Sequence, residues 1–191
     1  MSPNPASYLA GRLLVAMPGI DDPRFERSVI FLCAHDENHA MGLTINRPVD
    51  GLSVAELLKR LDVTPADDAG QDLVLMGGPV EPERGFVLHT DDYACEPSSL
   101  IVGSGVVLTA TREVLEALAG RLPNPRRAIM TLGYAGWDGG QLEREIRDNV
   151  WLVCEPDEAL VFDDDHEHKW SRALAKIGVA AERLSAQTGR A

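Results

Sequence analysis

Short apolar blocks run along this chain, and their periods separate strands from helices. Arg12 to Met17 (RLLVAM) is a continuous apolar run closed by Pro18-Gly19, which predicts a buried strand. Ile20 to Arg27 (IDDPRFER) predicts a loop turning at Asp22-Pro23. Ser28 to His35 (SVIFLCAH) and Ala40 to Asn46 (AMGLTIN) predict two further strands. The polar Asp36–His39 segment (DENH) makes them a hairpin with a four-residue loop. Ser53 and Glu56 fit the S-x-x-E capping box of a helix whose stripe is Val54, Leu57, Leu58 and Leu61. Leu73–Met76 and Gly85–His89 predict strands joined by a turn, GGPVEPER, and Leu100–Leu108 predicts a β segment broken at Gly103 and Gly105.

The second half continues in the same way. Thr111–Ala119 predicts a helix with Val114, Leu115 and Leu118 inward, stopped by Gly120 and Pro123. Arg126–Leu132 predicts a strand, Gly139–Asp148 a helix and Val150–Cys154 a strand. A last helix is expected over about Asp164–Ile177, with Trp170, Leu174 and Ile177 on one face and Asp163, Asp164 and Asp165 at its positive end. Gly133–Trp137 predicts a glycine-rich turn around Tyr134. Asp138 with Gln141 resembles a capping box that places Gly139 and Gly140 in the first helical turn. Leu142 and Ile146 form an apolar pair, Glu143 faces Arg147 as an ion pair, and Trp137 and Trp151 pack across the helix ends. No repeat or low-complexity linker interrupts the pattern. One α+β domain over residues 1–191 is therefore expected, with an ordered core over about 8–178 and a polar, partly disordered tail over 181–191.

Composition narrows the function classes. Of 191 residues, 45% are hydrophobic, enough for one substantial core, and no apolar run is long enough for a membrane-spanning helix. The start, MSPNPASYLAGR, lacks a basic n-region and an apolar h-region, so no signal peptide is expected. Cys33, Cys95 and Cys154 are odd in number and widely spaced, which suits reduced thiols and a cytoplasmic location. The net charge of −12 repels a phosphate backbone and disfavours direct nucleic-acid binding.

Candidate chemistry is sparse. Cys33 and His35 lie two apart on a strand, hence on one face, where a thiol and a base could form a nucleophile. A small buried cysteine beside a strand-terminal histidine is the plainer explanation. Cys33, His35 and His39 match no standard zinc spacing, and His166 and His168 face apart on a helix, so no metal site is expected. GYAGWDGG has neither phosphate-loop nor dinucleotide spacing, and G-x-S-x-G is absent, so no cofactor and no catalytic set are assigned. Arg27, Arg47 and Arg84 stand in separate Pro/Gly-containing segments whose loops could converge into an anion site. Nearby carboxylates (Asp21, Asp22, Glu26, Glu81, Glu83) offer ion pairing as the alternative.

Four blocks in order, MPGIDDPRFERSVIFLCAHDENHAMGLTINRP, MGGPVEPERGFVLHT, LTATREVLEAL and LGYAGWDGGQLEREIRDNVWL, resemble the YqgE/AlgH family of small bacterial proteins, over about Leu13–Ile177. Ile20 and His39 depart from its pattern without removing a charge or a candidate ligand. The resemblance implies an α+β fold with an irregular, branching, mostly antiparallel sheet flanked by helices. It brings no reaction and no catalytic residues. One branch is named as a regulator of alginate production, and members are often labelled transcriptional regulators. No helix-turn-helix pattern supports direct DNA reading here. The expectation is a non-catalytic binding or regulatory module whose cleft takes a small anionic ligand or a protein partner. Its expected walls are Arg27, Asn46, Arg47, Gly77, Gly78, Arg84, Gly133, Tyr134, Gly136 and Trp137. A transcriptional regulator and a thiol enzyme using Cys33 and His35 are the alternatives.

Overall fold

Strand alternation explains why the first apolar runs are continuous. In the computed structural model, which describes residues 8–93, 98–120 and 123–179, Leu13 and Val15 of β1 (Leu13–Ala16) face one core cluster while Leu14 and Ala16 face another. β2 (Val29–His35) divides in the same way, with Phe31 in the first cluster and Ile30 and Leu32 in the second. Both strands are covered on both faces, so neither has a polar side. β3 (His39–Thr44) completes the expected hairpin.

β4 (Pro48–Ser53) leads into α1 (Val54–Arg60), where both halves of the capping box form. Val54, Leu57 and Leu58 are buried, whereas Leu61 has left the stripe and caps the helix at 40% exposure. β5 (Leu73–Met76) pairs with β4. β6 (Val80–Thr90) starts five residues earlier than its apolar pattern suggests, absorbing much of the predicted GGPVEPER turn. The glycine-broken segment is a hairpin of β7 (Ser99–Gly103) and β8 (Val106–Thr109). α2 (Arg112–Leu118) ends as expected before Gly120.

The largest departure is β9 (Ala128–Asp138), which runs on as extended strand through the predicted Gly133–Trp137 turn. The turn falls later, at Gly139–Gly140. Gly140 is the left-handed N-cap (φ 75°) of α3 (Gln141–Arg147), so neither glycine lies in the helix, and Asp138 supplies no side-chain cap. Half of the proposed box survives: the Asp138 N–H donates to Gln141 Oε1. β10 (Trp151–Cys154) follows. The last helical region is two helices, α4 (Glu158–Phe162), capped by Asp157, and α5 (Lys169–Lys176). Asp163, Asp164 and Asp165 therefore precede α5 by several residues, and Asp163 instead pairs with Lys169 and Arg172. Cys95 and the tail lie outside the described residues.

Among the described residues ten strands form one curled, branching sheet: eight follow the order β10-β1-β2-β3-β9-β6-β8-β7, and β5, with β4 beside it, joins off this path at β9; all pairs are antiparallel except β5 with β9. β9 is the branch. Its first half pairs with β5 and β6, and its second half pairs with β3. α4 and α5 cover the cluster around Leu13, Phe31 and Leu88, α1 and α2 cover that around Val87 and Met130, and α3 covers the third. This is a single α+β domain, and no helix among the described residues is long and apolar enough to cross a membrane.

At the branch the β5–β6 link crosses β9 backbone to backbone. A Cβ on Gly77 would sit 2.3 Å from the Gly133 carbonyl oxygen, and one on Gly78 would sit 2.1 Å from the Tyr134 carbonyl carbon. Gly133, at φ +74°, would meet Gly78 O at 2.3 Å. These three glycines are where two main chains touch. Gly78→Ala is expected to lower stability by at least about 3 kcal/mol, because rigid backbone must move. Gly51→Ala, with nothing within 4 Å and only its left-handed φ to strain, serves as the control at about 1 kcal/mol. Denaturant midpoints check both.

Lys169 is fully buried, its ammonium donating to Val161 O (3.2 Å), Asp163 O (3.1 Å) and Ile45 O (3.4 Å). Burial pushes it down to about 8, against the opposing pull of Asp163, from an ordinary value of 10.5. Between those two values the unfolded chain holds more protons than the folded one, so this lysine makes folding more favourable as pH rises. The stability of the natural protein relative to Lys169→Met is therefore expected to climb between pH 8 and 10.5, by at most about 1.4 kcal/mol per pH unit. Urea unfolding across that range measures it.

Candidate functional site

Placing the expected residues separates structural groups from open ones. Asn46 accepts from the Val29 N–H and donates to Arg27 O, clipping the loop that carries Arg27 at φ 54°. Arg27 lays its guanidinium over the Trp170 ring at 5.5 Å. Arg47 donates to Glu26 O at 2.6 Å and to Pro23 O at 3.4 Å. These two arginines and Asn46 build one loop junction and line neither of the hollows described below. Gly77, Gly78 and Gly133 form the chain crossing. The three arginines thus do not converge, because two of them hold down main chain and an aromatic face.

Arg84, Tyr134, Gly136 and Trp137 do come together. They line a hollow of roughly 560 Å³ with Met41, Val80, Phe86 and Leu108. Arg84 lies over the Phe86 ring at 5.0 Å and reaches Glu81 at 3.4 Å; Phe86 in turn meets Tyr134 edge-on at 5.9 Å. Burial, and then the Glu81 carboxylate, push the Tyr134 hydroxyl above its ordinary value.

A second hollow, of roughly 550 Å³, lies on the α3 side, between the Met17–Phe25 loop, α3 and the Trp137–Trp151 pair. The two indoles meet edge-on at 6.0 Å. Both donate their N–H to one oxygen, Glu145 Oε2, at 2.9 and 2.8 Å, while Gln141 donates to Oε1 at 2.9 Å. The expected packing of the two tryptophans across α3 is thus achieved through a shared carboxylate. The two hollows share Val80, Gly136 and Trp137.

Cys33 and His35 are not a pair. A bulge in β2 between Leu32 and Ala34 breaks the alternation that would have put them on one face. Cys33 points into the first core cluster, its Sγ toward Phe31 O at 3.6 Å, and burial pushes its thiol up, away from thiolate character. His35 pairs with Ala40 on the α3 face, where Nδ1 accepts from the Leu9 N–H at 3.1 Å. Nε2 must then carry the proton, and it donates to Glu143 at 2.7 Å. Glu143 therefore turns to His35 rather than to Arg147. Partial burial disfavours its charge, but its own N–H and the His35 ring outweigh this and hold the carboxyl below the ordinary range. No cluster of three metal-binding side chains occurs among the described residues.

One buried polar set carried no sequence signal. His89, fully buried in β6, faces Thr90 O through Nδ1 and the Thr109 hydroxyl through Nε2, each at 2.8 Å. Thr109 meets the Ser99 hydroxyl at 2.7 Å, so the chain ties β6, β8 and β7 together. Burial lowers the His89 value, and with Nδ1–H given to the carbonyl the neutral ring accepts from Thr109.

Removing the shared carboxylate tests the aromatic floor of the second hollow. Glu145→Ala leaves two indole N–H groups without their acceptor and is expected to lower stability by about 3 kcal/mol. A shift in tryptophan emission on the native baseline would report the freed rings. Comparison with known proteins agrees with this architecture. The family model DUF179, described as AlgH-like, matches residues 13–182. A UPF0301 protein of Caulobacter vibrioides is 64% identical over 96% of this chain and 94% of its own, and one from Ruegeria pomeroyi is 51% identical over 96% and 99%. The solution structure of the AlgH protein from Pseudomonas aeruginosa, 41% identical, superposes with a TM-score of 0.77 over the full length of both chains. A Corynebacterium diphtheriae protein at 20% identity shares the fold, with a TM-score of 0.74. This chain belongs to the AlgH-like family.

Proposed function

We propose that this protein is a non-catalytic binding or regulatory module, and that the paired hollows around Gly136 take its ligand, a protein partner or a small anionic group. The observation that carries the reading is the meeting of two hollows at an exposed glycine, with Arg84 and Tyr134 on one side and an aromatic floor on the other. Arg84, already aligned by Phe86, offers its guanidinium to a carboxylate or phosphate. The separation of Cys33 from His35 weighs against thiol chemistry.

Genetic complementation tests the reading without knowledge of the ligand. In a strain lacking the gene, Gly136→Arg and Arg84→Glu are expected to accumulate to normal levels yet fail to restore the natural phenotype. Cys33→Ala is expected to restore it. Loss with Cys33→Ala alone, at normal protein level, would sink the binding-module reading in favour of thiol chemistry.

A further inference from the structure

The peptide group of Gly136 lies on an open strand edge inside the sheet. In β3 the odd positions bond toward β2: the His39 C=O accepts from Asp36 N–H, and the Ile45 N–H donates to Val29 O. The even positions bond the other way, as the Thr44 N–H does to Gly77 O. Ala40 and Gly42 therefore bond their register partners Trp137 and Ala135. Gly136 and Asp138 must point away from β3, and the Asp138 N–H indeed leaves the ladder for Gln141. On that side β6 pairs no further than Val80↔Tyr134. The N–H and C=O of Gly136 thus face a gap, and among the described residues no hydrogen bond outside the strand ladders involves them.

The fold itself gives no reason for glycine at this position. A Cβ on Gly136 would meet Tyr134 Cε2 at 3.5 Å and Val80 Cγ2 at 3.9 Å, ordinary contacts, and its φ is not left-handed. Gly77, Gly78 and Gly133, by contrast, are forced by main-chain approach. What a side chain at 136 would do is stand in the gap.

We propose that Gly136 is a docking edge for an extended segment of a partner protein, one in which a basic side chain alternates with an apolar one. This rests on the binding-module reading and names its occupant. A strand added here sends successive side chains to opposite faces, and each face already has its hollow. On the α3 face, Asp21 and Asp148 line the hollow with no ion pair among the described residues, while Arg24 is committed to Asp22. That hollow is left negative and suits a lysine or arginine. On the other face Arg84 also lines the hollow but lies over Phe86 and reaches Glu81, and the walls of Met41, Val80, Phe86, Leu108 and Tyr134 suit an aliphatic side chain.

The test uses the capped peptide acetyl-Val-Lys-Val-Lys-Val-amide, followed by amide and indole NMR shifts. Saturable shifts are expected at Gly136, Val80 and the Trp137 indole. The same peptide with glutamate for lysine, or with methylated backbone nitrogens along one edge, is expected to bind at least about tenfold more weakly. Gly136→Val should keep its unfolding midpoint and lose binding. The double change Asp21→Lys with Asp148→Lys, at exposed positions, should reverse the preference toward the glutamate peptide. No shift at Gly136, equal binding of lysine and glutamate peptides, or undiminished binding by folded Gly136→Val would each overturn the proposal. If Gly136→Arg still fails to complement in that case, the hollows remain the site and only the strand-like occupant is removed.

Discussion

The architecture depends on the contact between two main chains at Gly77–Gly78 and Gly133. Side chains ordinarily keep crossing segments well apart, and here they are absent. The Gly77 N–H can then reach Leu132 O, while its carbonyl receives the Thr44 N–H. One residue joins β3, β5 and β9. The left-handed turn of Gly133 lets β9 leave its first neighbours and take up β3. Sheet branching, the open edge at Gly136 and the two hollows all follow from that handover. The core is three clusters rather than one: two lie on opposite faces of β1 and β2, and the third lies on the β4–β5 side of the branch, each with its own helical cover.

Much of this was legible in the sequence wherever a local signal and the tertiary outcome agreed. The Ser53–Glu56 box, the β2–β3 hairpin and the Gly120 stop depend on neighbours a few residues away, and they form as read. In the candidate hollows, Tyr134 and Trp137 were picked out by their glycine setting, and Tyr134 lines one hollow and Trp137 both. Misreadings arose where glycine meant proximity rather than a turn. Gly133 and Gly136 read as loop residues, yet a strand runs through both, because the crossing needs the first and the second leaves room. Alternation failed at Cys33 because one extra residue in a strand leaves no mark on composition. Lys169 and Glu145 could not be found either, since their partners are carbonyls and indoles brought together only by the finished fold.

The buried groups Lys169, His89 and His35 and the half-buried Glu145 have a common character. Each bonds to two or more groups from separate parts of the chain. A buried polar group left unpaired is costly, so each is a demanding alignment condition rather than a large source of net stability. Together they specify how the helices and the hairpin sit on a branching sheet whose apolar surfaces alone would tolerate sliding.

β9 also bears on how the chain is made. Its neighbours β3, β5 and β6 all precede it, so each leaves the ribosome with an edge that stays unpaired until its own part of β9 has emerged, Leu132 for β5, Tyr134 for β6 and Asp138 for β3. Until then the nascent chain holds several unpaired strand edges. Unpaired edges of this kind are ready templates for pairing with another chain, so the order of the strands along the sequence sets how long that exposure lasts.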